Sequence, residues 1–252
     1  MIERGTAFGR ERTFRITAEP QVTFRRGISV YPKPCSLGER VIHCVLALGA
    51  LLMAGSETAR SATPPPPIPN ERIIGMPSAG TKPTTGVQLG ALQVVWETTL
   101  LAQVTRAIGA GAIQHEGDAG ESAYWLCYTI AGERAQRIWL IADGEMGGPE
   151  QSVTRVAAEE STDGEASLDC PRLPKTFLPV TLGHGLWIGA DEHSVSKAIH
   201  ALPHVVGPLR SVQYHSKVPG KCEGGFDQLN WLEYKIDHGR VTAIWAGQVT
   251  SC

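Results

Sequence analysis

The chain lacks the short signatures by which catalytic sites announce themselves. It contains no G-x-S-x-G, no H-E-x-x-H, no glycine-rich phosphate loop with a lysine, and no dinucleotide fingerprint after a strand. Its glycines, as in Gly109 to Gly111 or Gly147 and Gly148, fall where helices stop and chains turn. No two cysteines lie two to four residues apart, so zinc knuckles and ribbons are excluded, and neither a metal nor a cofactor is expected. Charge is sparse, at 19% of residues with a net of -2, which gives no basis for a nucleic-acid partner. No apolar run reaches the roughly 20 residues that a membrane-spanning helix needs.

What the chain does have begins with a charge asymmetry. Arg4, Arg10, Arg12, Arg15, Arg25, Arg26, Lys33 and Arg40 make the first forty residues basic and leave the remainder acidic. Val41 to Gly55 follows as VIHCVLALGALLMAG, uncharged, apolar and short, then small residues in AGSETARSA. This order fits an export signal over residues 1–62, cleaved between Ala54 and Ala62. An uncleaved membrane anchor and a buried core helix are the alternatives. Cys44 lies inside the apolar run, but His43 stands where a lipoprotein signal requires a small residue, so lipid attachment is rejected.

Export would place the body in the periplasm or outside the cell, with no stable membrane span after processing. Removal of Cys35 and Cys44 leaves Cys127, Cys170, Cys222 and Cys252, an even number suited to an oxidising compartment. Three pairings are open. The pairing Cys127 with Cys170 and Cys222 with Cys252 is favoured, because each bond closes a loop inside one half of the body.

Residues 63–84 read as a proline-rich linker opening with TPPPPIP, where proline fixes φ and supplies no amide donor. Ordered structure is expected from about Thr85. In 85–172, Trp96 to Ile108 has helical spacing with Thr98 or Thr99 as cap, followed by strands at Tyr124 to Ile130 and Arg137 to Asp143. Ser152 to Glu160 reads as a third strand. In 173–252, a helix spanning Val195, Ala198, Ile199 and Leu202 precedes strands at Ser211 to Lys217, Leu229 to Ile236 and Val241 to Val249. Asp237, His238 and Gly239 mark a tight turn. The fold class is therefore α+β, short helices packed on antiparallel sheet. QLGA (Gln88 to Ala91) aligns with WIGA (Trp187 to Ala190), and TRVAAE (Thr154 to Glu159) with GRVTAI (Gly239 to Ile244), which suggests two tandem repeats. One continuous sheet with helices on one face is the other reading.

Helix then strand meander, twice over from Leu89 to Cys252, with one disulfide in each half, resembles the tandem architecture of the secreted beta-lactamase inhibitory proteins. It also resembles the small periplasmic outer-membrane assembly lipoproteins that share their helix-on-sheet unit, although this chain has no lipidated cysteine. The second half, GLWIGADEHSVSKAIHALP closing at GRVTAIWAGQVTSC, carries the better match. The resemblance implies binding to another protein.

Three functions follow: an exported, non-catalytic, protein-binding or inhibitor-like protein of the envelope; a small secreted hydrolase using histidine and carboxylate residues of the second half; or an envelope-structural protein held by an uncleaved leader. Binding is preferred, with Trp231, Tyr234, Trp187 and Trp245 as candidate contact residues. Trp231 shares strand parity with Glu233 and Lys235, opposite the apolar Leu232, Tyr234 and Ile236, and is a candidate for exposure. A hydrolase would draw on His184, His193, His200, His204, His215 or His238, or on the carboxylates Glu159 with Glu160 and Asp143 with Glu145. Scattered surface histidines and solvated strand-end charges are the plainer account.

Overall fold

The computed structural model describes residues 63–69, 78–118, 122–144, 151–162, 165–183, 185–220 and 225–251. All of them fall within one compact unit, Glu57–Cys252. The leader, Cys222, Cys252, His184 and Glu145 lie outside the described residues.

Eleven strands and two helices are described. The chain begins with a hairpin, β1 (Gly86–Leu89) and β2 (Leu92–Val95), followed by helix α1 (Leu101–Ile108). Four antiparallel strands come next: β3 (Gln114–Glu116), β4 (Ala123–Ile130), β5 (Gln136–Asp143) and β6 (Arg155–Glu160). Then come β7 (Val180–Thr181) and α2 (Glu192–Ile199), and four further antiparallel strands, β8 (His204–Val206), β9 (Leu209–Val218), β10 (Phe226–Asp237) and β11 (Arg240–Ser251). The two groups of four join edge to edge in an eight-stranded sheet, ordered β3-β4-β5-β6-β11-β10-β9-β8. A small second sheet has the order β2-β1-β7.

The expected α+β class is what the structure shows, with more strand and less helix than the sequence reading allotted. α1 starts only at Leu101 because its proposed caps are otherwise engaged. Thr99 Oγ1 accepts from the Val95 amide at 3.0 Å and Thr98 Oγ1 donates to the Trp96 carbonyl at 3.2 Å, which closes a turn after β2. Gly109, in the left-handed region at φ 72°, stops α1 and donates its amide to the Thr105 carbonyl. α2 is capped by Asp191, whose Oδ1 accepts from the amides of His193 and Ser194. The β10–β11 hairpin turns on His238 and Gly239, both at positive φ, as a two-residue type I′ turn requires.

Alternation along the strands sorts the core into two layers. Leu126 and Tyr128, Ile138 and Leu140, Val156 and Ala158, Leu232 and Tyr234, Ile244 and Ala246 face one side. There they meet Leu101, Val104 and Ile108 of α1, Val195 and Ile199 of α2, and Val87, Leu89, Val94 and Val180 of the small sheet. This is the main core. The opposite side carries a second apolar cluster of different composition.

Tyr128 tests the main core. Its hydroxyl donates to the Ala110 carbonyl at 2.9 Å, and burial raises its pKa above the ordinary value near 10. Between pH 7 and 10 both folded and unfolded chains hold this proton, so stability does not change through it. Above pH 10 the unfolded chain releases a proton that the fold retains, and stability falls as pH rises. Tyr128→Phe is therefore expected to lose about 1 kcal/mol at pH 7 from the missing hydrogen bond and to show a shallower stability loss above pH 10. Urea melts at pH 7, 9.5 and 11 measure both.

Candidate functional site

The second cluster is built on tryptophan. Trp125 and Cys127 on β4, Trp139 and Ile141 on β5, Ala157 on β6, Trp231 on β10, and Ala243 and Trp245 on β11 pack together with Cys170. Strand parity puts them on one face, and register puts them in rows. One row runs Gln114, Trp125, Ile141, Arg155, Gly247, Trp231, Gln213 across seven strands. The next runs Cys127, Trp139, Ala157, Trp245, Glu233, Ser211. Four of the six tryptophans thus share one side of the sheet, drawn from both halves of the body.

Neither a helix nor a second sheet covers this face among the described residues; an extended segment does. Thr63 is fixed by three hydrogen bonds. Its carbonyl accepts from the indole of Trp125 at 3.0 Å and from that of Trp139 at 3.1 Å, and its amide donates to Gln114 Oε1 at 3.1 Å. Gln114 Oε1 also accepts from Trp125, and Gln114 Nε2 donates to the Asp169 carbonyl beside Cys170. Pro64 and Pro67 are exposed while Pro65, Pro66 and Ile68 are half-buried, the three-residue repeat of a polyproline helix. Ile68 reaches the same cluster and borders a cavity of about 200 Å³ with Trp231, Val249, Arg155 and Asp143. Five steps of such a helix cover about 16 Å at 3.1 Å each. β4 to β10 is four strand spacings, about 19 Å. The segment therefore runs across the strands from one half of the sheet to the other.

The stretch read as a spacer is in this way a strap on the sheet. Beyond it, the Ala79 amide donates to the Gln213 carbonyl at the β9 edge, and Asn230 Nδ2 donates to the Thr84 carbonyl on the helix side. Residues 78–84 thus lead from the β9 edge to the helix side before β1 begins.

Other parts of the face are held from below. The disulfide Cys127–Cys170 ties the segment before Pro171 to β4, and Thr129 exchanges backbone hydrogen bonds with Pro171 and Leu173. Arg155 grips Asp143 through Nε at 2.5 Å and Nη2 at 2.9 Å. Gly247 leaves room for its neighbour: a Cβ there would lie 2.7 Å from Arg155 Cβ, 2.8 Å from the Thr154 carbonyl and 3.1 Å from Trp231 Cζ2.

Trp231 is thereby corrected. The expected exposure does not occur, since only 6% of it remains accessible. Its parity is as read, but its indole lies over the bare backbone of Gly247, within reach of the strap. Trp245 shares the face. Tyr234 and Trp187 do not: both belong to the main core, where the Trp187 indole donates to Gln136 Oε1 at 2.8 Å. Gln114 and Thr63 were not singled out from sequence, and Trp125 and Trp139, though on candidate strands, were not among the expected contact residues. The opposite parity of Trp125 to Tyr124 and the proline run were the available signals.

The candidate acid/base residues do not assemble. His193, His200, His204, His215 and His238 are exposed, on α2, its C-terminal cap, β8, β9 and the last turn. Among the described residues no three His, Cys, Asp or Glu converge as metal ligands would. Asp143 is taken by Arg155, and Glu160 pairs with Arg134 at 2.6 Å. An open cleft of about 620 Å³ lies beyond the β4–β5 and β10–β11 turns, lined by Glu133, Arg134, Glu160, Asp237, His238 and Arg240. Its mixed charges offer no single-signed field for a ligand. The tryptophan face is the stronger site.

No family model, curated protein or solved structure matches the chain.

Two measurements probe how this face is built. Gly247→Ala forces β6 and β11 apart or displaces Trp231, and is expected to destabilise by about 1 to 3 kcal/mol, seen as a lowered denaturation midpoint. Reducing Cys127–Cys170 opens a loop of 43 residues and is expected to remove about 4 kcal/mol on the chain-entropy account. Denaturation with and without reductant, compared with Cys127→Ala/Cys170→Ala, gives the value.

Proposed function

We propose that the chain is an exported, non-catalytic, inhibitor-like protein of the cell envelope that binds another protein through its tryptophan-bearing sheet face. The observation that carries this is that, among the described residues, a short strap and no regular layer lies on the face that carries four tryptophans. A face that served only as core would be sealed by an element holding its own backbone bonds. Among the described residues the hydrogen bonds from strap to sheet converge on Thr63, which leaves the Pro64–Pro69 part of the cover held by packing and open to local opening. Tryptophan gives the largest return in binding energy when such a surface meets a partner.

Placement outside the cytosol is supported by Cys127–Cys170, since structural disulfides belong to oxidising compartments. The basic, then apolar, leader agrees. No helix among the described residues is long and apolar enough to cross a membrane. We also propose that the body is a duplication. α1 with β3 to β6 and α2 with β8 to β11 follow the same order, and Val156 and Val241, matched in the internal alignment, both enter the main core. This supports the likeness to the beta-lactamase inhibitory proteins and assembly lipoproteins.

Photo-crosslinking checks the binding face. A photoreactive residue at Val249, half exposed beside Trp231 and Ile68, is expected to yield one adduct of defined mass in envelope extract. The same residue at Leu202, 91% exposed just beyond α2, is expected to yield none. Equal labelling at both positions, or adducts at Leu202 alone, would refute the assignment.

A further inference from the structure

We infer that the tryptophan-bearing face is a groove for a proline-rich, polyproline II segment of another protein, and that Thr63–Pro69 fills it in cis until such a segment displaces it. This rests on the protein-binding reading above and names its ligand class.

The strap shows the recognition chemistry. A polyproline helix has no internal hydrogen bonds, so its carbonyls are free to accept, and its fixed φ means little conformational freedom is lost on docking. Trp125 and Trp139 supply indole donors that converge on one such carbonyl, at 3.0 and 3.1 Å. The segment crosses the strands instead of lying along an edge, so side chains of the sheet face recognise it and no strand is added. Pro65 and Pro66 turn toward the sheet while Pro64 and Pro67 face out.

The strap does not use everything the face offers. Trp245, 5% exposed and part of the same packed cluster, has a buried Nε1 with no acceptor. It stands on β11, two strands from Trp139, with Ala157 between them. Beside Ile68 the cavity of about 200 Å³ has room for a larger side chain. A ligand that set a carbonyl on Trp245 and filled this cavity would bind better than the strap.

That difference identifies the source. A tethered strap competes at an effective concentration of order millimolar. A second copy brings the same TPPPPIP and no new contact, so it cannot displace the strap at ordinary concentrations. Only a foreign segment with the extra contacts can.

The test uses the full exported chain and a variant with Pro64→Gly, Pro65→Ser, Pro66→Gly and Pro67→Ser. The probes are the peptide TPPPPIP, a longer oligoproline, and a glycine-serine peptide, read by indole N–H NMR signals. The variant is expected to bind both proline peptides, with shifts at Trp125 and Trp139, and to ignore glycine-serine. The longer peptide should also shift Trp245. Binding to the unsubstituted chain should be at least tenfold weaker, and Trp125→Phe with Trp139→Phe should weaken binding to the strap variant about tenfold. A variant that keeps its circular dichroism and cooperative melt yet binds no proline peptide would overturn the proposal. So would equal affinity for both chains, or strap exchange between copies detected as a concentration-dependent dimer. Should the variant not fold, the unsubstituted chain decides: several-millimolar oligoproline must shift the Trp125 and Trp139 signals, and no shift counts against the inference. If the strap variant still crosslinks at Val249 but ignores every proline peptide, the ligand class is wrong and the protein-binding reading survives. Loss of both defeats both.

Discussion

The pairing of β6 with β11 is the contact on which the arrangement depends. Each group of four strands alone presents two tryptophans and two edges. The antiparallel register Ala157 opposite Trp245 joins them, extends the sheet to eight strands and sets Trp139 and Trp245 on either side of a small residue. Because side chains repeat every two residues, a slip of one position here would send the tryptophans of one half into the helix layer. Register at this seam therefore decides whether a shared face exists.

A second consequence concerns burial. Antiparallel sheets commonly leave one face to solvent, but β4, β5 and β11 each hold five consecutive buried residues in their middle. Such strands require covers on both sides. α1, α2 and the small sheet supply one. On the other side stand the strap, the segment carrying Cys170, and ion pairs such as Arg155 with Asp143, which keep charged groups satisfied at the margin of an aromatic surface. Low exposure on this side is consistent with a face that opens: among the described residues, lifting the strap breaks the hydrogen bonds at Thr63 and the packing of Ile68.

Much of this was legible. Apolar period marked β4, β5, β9, β10 and β11 to within three residues, the Asp237 to Gly239 turn was read correctly, and Cys127 was paired with Cys170. Strand parity had already set Trp231 apart from the apolar side of its strand. Strand order was not legible, because nothing local to β6 says that it meets β11. The sheet of β1, β2 and β7 was missed because its strands are four residues or fewer and gain their stability from the main core. Trp231, a candidate for exposure on parity alone, is buried because its cover comes from Gly247 on a neighbouring strand and from Ile68, more than 150 residues away in sequence. The proline run looked like a spacer because composition reports stiffness and not what a stiff segment lies upon.

The chemistry of the indole explains why the cover takes that form. Each tryptophan on a buried face brings a donor that must find an acceptor or bear the cost of desolvation, of about 1 to 3 kcal/mol. A helix or a paired strand laid across the face would have spent its carbonyls on its own backbone partners. Polyproline has none to spend them on, so Thr63 can satisfy Trp125 and Trp139 together. Trp245, on the same face, remains unmatched. The face is therefore complementary to a class of backbone, one that is extended and free of internal hydrogen bonds, and the segment that now occupies it meets that demand only in part.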